Sequence, residues 1–135
     1  MTLDTHAISV LVVDDDPLIL ASTARFLRSH GMRAICADSP FGVSALVGRE
    51  TPDVVVLDCH MPGLDGAQLA RLLRANPRTA RTRLVFHSGD SDTNLAALAE
   101  AVGAHYACKG WGPIALIDAI GAALSSPRGL GATSA

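Results

Sequence analysis

Five apolar runs of strand length alternate with five amphipathic stretches of helix length, and this alternation constrains the chain more than any other feature. The runs are residues 8–13, Arg33–Ala37, Val54–Leu57, 84–86 and His105–Cys108. The first, third and fourth are continuously apolar or β-branched, the pattern of parallel strands covered on both faces. The stretches between them carry helix punctuation. Asp16 and Pro17 supply an N-cap and a first helical residue, with Leu20, Thr23, Ala24 and Leu27 at helical spacing and Gly31 at the C-cap. Ser39 and Pro40 repeat the start signal for a second helix ending near Glu50. Residues 64–75 predict a third, closed by Asn76-Pro77. Leu95, Leu98, Ala99 and Val102 carry a fourth stripe, stopped by Gly103. Pro113 opens a fifth helix with Ile117, Ile120 and Leu124 on one face. The expected class is α/β, a (βα)5 doubly wound parallel sheet with right-handed crossovers. Pattern alone leaves the strand order open.

A chain of 135 residues predicts one domain. We expect an N-terminal extension over 1–7, the domain over 8–124, and a flexible tail or linker start over 125–135. An apolar share of 49% with 18% charged residues excludes a disordered chain. Thirteen acids against eleven Lys and Arg give a net charge of −2, which argues against a direct nucleic-acid partner. No apolar run approaches a membrane span, and residues 1–9 lack a basic region followed by an apolar stretch. The expected location is therefore the cytoplasm, without membrane insertion. Cys36, Cys59 and Cys108 form no CxxC pair, which fits a reducing compartment.

In an open α/β sheet the functional crevice lies outside the carboxyl ends of the strands. The first run stops at Asp14, Asp15 and Asp16, the third at Asp58, the fourth at His87, Ser88 and Gly89, and the fifth at Lys109. Carboxylates, a hydroxyl and an ammonium thus converge on one edge. Hard oxygen ligands select Mg²⁺ or Mn²⁺, and a carboxylate can be the nucleophile in phosphoryl transfer. Lys109 and Ser88 could neutralise the transferring group, and Gly89 leaves room for its oxygens. A solvated turn is the plain alternative for consecutive aspartates, and Asp16 reads as a cap. Cys59, His60, His87 and Cys108 raise a zinc site, but neighbours in a strand point to opposite faces. His6, His30 and His105 read as surface or helix-end residues.

Val12-Val13-Asp14-Asp15-Asp16-Pro17, the run from Leu57-Asp58 through Met61-Pro62-Gly63 to Asp65-Gly66, Ser88-Gly89 and Lys109 resemble the receiver domain of two-component response regulators, the chemotaxis-regulator kind included. The resemblance implies a flavodoxin-like strand order 2-1-3-4-5. It implies Asp58 as phosphoacceptor, taking phosphate from a sensor histidine kinase or phosphotransfer protein. Asp14 and Asp15, with Asp58 and the backbone carbonyl of His60, would hold Mg²⁺ or Mn²⁺. Ser88, Gly89 and Lys109 would bind the phosphoryl oxygens, and Ser88 with Tyr106 would form a switch toward a downstream effector protein or domain. His60 and Asp90 occupy positions that tune phosphoryl lifetime. Such a domain catalyses only its own phosphorylation and dephosphorylation.

The sequence departs from this pattern after Lys109, where Gly110 replaces the family's proline and Trp111 follows. A non-proline cis bond costs about 2.5–4 kcal/mol, so we expect Lys109–Gly110 to be trans. Gly110 and Gly112 should take unusual dihedrals, and Trp111 should bury part of its ring. A pseudo-receiver, keeping the fold but acting without phosphate, is the competing reading. A haloacid-dehalogenase-type phosphatase wants a second aspartate where His60 stands, and a nucleotide-binding oxidoreductase wants a GxGxxG motif after the first strand.

Overall fold

The computed structural model describes residues 7–89 and 92–126. Five parallel strands, β1 (Ser9–Val13), β2 (Arg33–Ala37), β3 (Val54–Leu57), β4 (Arg83–Ser88) and β5 (His105–Cys108), form one sheet in the order β2-β1-β3-β4-β5. The helices are α1 (Pro17–Ser29), α2 (Val43–Glu50), α3 (Gly66–Ala75), α4 (Asp92–Val102) and α5 (Pro113–Ser125), and a 3-10 turn spans Lys109–Trp111. The expected (βα)5 sheet and its flavodoxin-like order are what the molecule adopts.

Alternation along the central strands divides the core. Leu11, Val13, Val55 and Leu57 pack with α2, α3 and α4, whereas Val10, Val12, Val54 and Val56 pack with α1 and α5. Every residue of β3 is buried, which is why its sequence is an uninterrupted apolar run. The edge strand β2 exposes Arg33 and Cys36 instead. On α1, Leu20, Thr23, Ala24 and Leu27 are the buried residues, and Gly31 beyond its end sits at φ +83°. Asp16 caps that helix through the amides of Leu18 and Ile19.

Several boundaries and faces differ from the sequence reading. β4 extends through His87 and Ser88, which pair in register with Ala107 and Cys108. Polar residues ended the apparent run, but the β5 backbone continues the ladder. Ser39-Pro40 does not start α2. The Ser39 hydroxyl accepts the Phe41 amide at 3.2 Å in a local turn, and the helix begins after Gly42, at φ +84°. α3 starts at Gly66 rather than residue 64, because Asp65 and Gln68 form a reciprocal capping box. On α5 the buried face is Leu116, Ala119, Ile120 and Ala123. Ile117 and Leu124 are only half-buried, since small alanines bring that other stripe onto the sheet. His105 is half-buried on the edge strand β5, with Nε2 3.0 Å from the hydroxyl of Ser126 at the end of α5.

The described peptide bonds are all trans, Lys109–Gly110 included. Gly112 takes φ +90°, but Gly110 keeps an ordinary conformation within the 3-10 turn. The turn itself absorbs the altered path there. Trp111 is 52% exposed, with its ring centroid 5.9 Å from that of Tyr106.

At the opposite end of the sheet the Arg74 guanidinium is partly buried and meets only carbonyls. It donates to Val102 at 2.7 Å, Thr82 at 2.6 Å, Ala80 at 2.9 Å and Gly103 at 3.1 Å. One side chain thereby ties α3, the α3–β4 connection and the end of α4 together.

Candidate functional site

β1 delivers Asp14 and β3 delivers Asp58 to the carboxyl edge of the sheet. The ladder carries one step past each strand: the Asp14 amide donates to Ala37 O at 3.1 Å and the Asp58 amide to Val13 O at 3.0 Å. Both carboxylates are buried, at 3% and 6% exposure, whereas Asp15 is exposed. Asp14 Oδ1 also accepts the Asp16 amide at 2.9 Å, which orients the carboxylate.

Lys109 enters from the end of β5. Its Nζ lies 3.0 Å from Asp14 Oδ2 and 3.5 Å from Asp58 Oδ1. Burial raises the Asp58 pKa; the Lys109 charge opposes this, Asp14 adds to it, and the net direction is upward. Burial alone would lower the Lys109 pKa, but its bonds and charge pairing with Asp14 and Asp58 raise it. Asp14, Asp15 and Asp58 each offer a carboxylate oxygen, all within 4.8 Å of one another. That hard, anionic oxygen set suits a small divalent cation such as Mg²⁺.

The next residues refine the edge. The exposed His60 sends its amide toward Asp58 Oδ1 at 3.4 Å. Ser88 is fully buried at the end of β4, and Gly89 beside it borders open space. Tyr106 is half-buried and lines, with Trp111, a cavity of about 710 Å³ between α4 and α5. Asp90 lies outside the described residues.

Two residues placed at this edge by the sequence were given no role there. A Cβ on Gly66 would collide with the Asp58 carbonyl oxygen, so only glycine lets α3 start against the end of β3. The Gly66 amide donates to Cys59 O at 3.1 Å across that contact. The Asp65–Gln68 capping box is the signal that marks this helix start. His87 is the second. Burial, with the Lys109 charge reinforcing and Asp14 opposing, lowers it to about 4, so it is neutral at physiological pH. It borders, with Lys109 and Phe26, a cavity of about 490 Å³ between α1 and α5.

A family model for the response regulator receiver domain matches residues 10–120. The chain belongs to the response regulator receiver family. Receiver domains serve two-component systems, bind Mg²⁺ through an acidic pocket, and interact with histidine kinases and downstream effectors. This receiver domain is 33% identical to Protein RcaC of Microchaete diplosiphon over 101 residues, 74% of this chain and 16% of that protein. It spans less than two thirds of the other curated relatives as well. A putative response regulator from Chloroflexus aurantiacus shares the receiver fold with a TM-score of 0.82 at 24% identity, over 90% of this chain and all of that one. A LuxR-family two-component response regulator from Aurantimonas sp. gives a TM-score of 0.81 at 26% identity, over 91% and 89%. Among the described residues, no helix of the receiver is long and apolar enough to cross a membrane.

Proposed function

We propose that this receiver domain is phosphorylated on Asp58 by a sensor histidine kinase or phosphotransfer protein, and that phosphorylation switches a protein-binding surface. The reading is carried by one observation, two buried carboxylates bridged by the Lys109 ammonium at the strand ends. An Asp58 oxygen attacks the phosphorus of a phosphohistidine; the P–O bond forms as the P–N bond breaks, and the imidazole leaves. Asp14, Asp15, Asp58 and the His60 backbone carbonyl would hold Mg²⁺ or Mn²⁺, which supplies charge neutralisation toward the phosphoryl oxygens. Lys109 exchanges a carboxylate partner for a phosphoryl oxygen, the Ser88 hydroxyl donates to another, and Gly89 leaves space beside them.

Ser88 and Tyr106 then couple the acceptor to the surface between α4 and α5, where a downstream effector protein or domain docks. His60 and Asp90 set phosphoryl lifetime by shaping water access. The chemistry is confined to the domain's own phosphorylation and dephosphorylation, and the place of action is the cytoplasm, without direct nucleic-acid or membrane contact. Gly110 after Lys109 favours a second reading, the pseudo-receiver.

The test is incubation with acetyl phosphate and Mg²⁺, followed by intact-mass spectrometry. One added phosphoryl group is expected, absent with EDTA and absent in Asp58→Asn. No addition to the wild type with metal present, or equal addition to the variant, overturns the assignment, and the first of these favours the pseudo-receiver.

A further inference from the structure

Acids gather at the carboxyl edge of the sheet, and arginines gather at the other. Arg28, Arg49 and Arg74 sit in the last turns of α1, α2 and α3, where they offset the negative helix ends. That accounts for those three. Arg78 and Arg81 lie beyond the end of α3, on the α3–β4 connection, and serve no helix end. Both are exposed, and among the described residues no carboxylate pairs with either.

Arg78 stands between two concavities. One, of about 160 Å³, is bordered by Arg78, Arg81, Thr51 and Pro52. The other, of about 490 Å³, is bordered by Arg49, Arg78, Asn76 and Ala45. Neither has an acidic residue in its wall.

The backbone that presents these arginines is firmly held. The Arg78 amide donates to Asn76 Oδ1 at 3.0 Å, and the buried Thr79 hydroxyl donates to Leu73 O at 2.8 Å. The Arg74 guanidinium ties down the carbonyls of Ala80 and Thr82. Two guanidinium groups on a fixed backbone lose less freedom when they close on an anion. The wall opposite contains Thr51 at φ +45°, the one non-glycine residue at positive φ among the described residues. Thr51 is the C-cap of α2, and its amide donates to Val47 O at 2.9 Å, so this left-handed backbone closes the helix and fixes the wall.

We propose that this arginine-lined base binds an oligophosphate anion, either an inorganic chain or the phosphate tail of a nucleotide. Two concavities that share Arg78 suit linked phosphates, with one group held between Arg78 and Arg81; Arg49 at the far side is already paired with Glu50 at 3.3 Å. Planar guanidinium forks match phosphate oxygens in pairs. The small apolar surface at Ala45 offers a place for an organic body.

The test is amide NMR on the full chain in EDTA, titrated separately with sodium triphosphate, ATP and a hexaglutamate peptide. Saturable shifts are expected at residues 48–51 and 78–82 with the phosphates. Arg78→Gln/Arg81→Gln should weaken binding by about tenfold or more, while the charge-matched Arg25→Gln/Arg71→Gln should change it by less than about twofold. Equal affinity for triphosphate and ATP supports an inorganic chain, and tighter ATP binding supports a nucleotide. Shifts that never saturate, shifts confined to the acid edge, or equal weakening in both double variants overturn the proposal. Tighter binding of hexaglutamate also overturns it, in favour of an acidic protein partner.

Discussion

The Lys109 ammonium sits closer to Asp14 than to Asp58, at 3.0 Å against 3.5 Å, although Asp58 is the proposed acceptor. Lys109 therefore holds the two buried acids together from the side of Asp14, to which it is hydrogen-bonded, while Asp58 sits at the longer ion-pair distance. Replacing it leaves two buried carboxylates facing each other. Lys109→Met should cost about 1–3 kcal/mol of stability at neutral pH in EDTA, a loss that shrinks on adding Mg²⁺. Urea denaturation with and without metal measures both, and equal losses in the two conditions would contradict the bridging role.

Asp58→Asn should act in the opposite sense. Burial makes the charged form of Asp58 unfavourable and Asp14 adds to that, despite Lys109. A carboxylate with a raised folded pKa gains stability as pH falls, so a neutral amide should already have that gain at neutral pH. The variant should be more stable than wild type in EDTA and should gain less from Mg²⁺. A variant less stable than wild type in EDTA would mean that the Lys109 attraction outweighs burial.

His87 predicts a pH window. Its folded value of about 4 lies below the ordinary 6.5, so the unfolded chain binds the proton more readily between them. Its contribution is complete above about pH 6.5 and is lost as pH falls toward 4, about 3 kcal/mol in total. Asp58 works with the opposite sign in both proteins, so the difference between wild type and His87→Phe isolates the histidine. Denaturation of both between about pH 4.5 and 7 should show a flatter profile for the variant; parallel profiles would refute the assignment.

Gly66→Ala tests the contact between α3 and the end of β3. The added methyl meets backbone, which cannot rotate away, so a loss of about 1–3 kcal/mol is expected. Acetyl phosphate labelling of Asp58 should slow in the folded fraction, because the Asp58–Cys59 backbone must shift. Unchanged stability and labelling would show that the helix start gives way freely.

The switch predicts where a signal travels. A beryllofluoride adduct at Asp58 should move amide resonances of 92–103 and His105–Cys108 and leave those of Arg33–Ala37 nearly in place. Changes confined to residues around the acid cluster would instead support the pseudo-receiver.

Much of this was legible because burial writes itself into apolar runs. β3 is buried throughout, and Asp16-Pro17 caps α1 as its spelling says. Strand ends located Asp14, Asp58 and Lys109 on one edge, since in a parallel sheet every carboxyl end points the same way. Local turns moved the starts of α2 and α3, but the other failures share a cause, which is that partners distant in sequence decided them. β4 continues through Ser88 because β5 pairs with it, and α5 turns Leu116 inward because alanines fit closely against the sheet. No local pattern reveals that Lys109 favours Asp14, ninety-five positions away. Arg74 was invisible for the same reason: arginine defaults to solvent, and its acceptors are backbone carbonyls that no side-chain code announces.

That guanidinium makes α4 a lever with a fixed heel. Two of its bonds hold Val102 and Gly103, at the helix end far from the acid cluster. Eleven residues at 1.5 Å each give an arm of about 16 Å, so a tilt of about 10° about the heel carries the far end nearly 3 Å. A tilt of this helix would therefore fan out, smallest at Val102 and largest beside the acid cluster, where a small push has the greatest leverage.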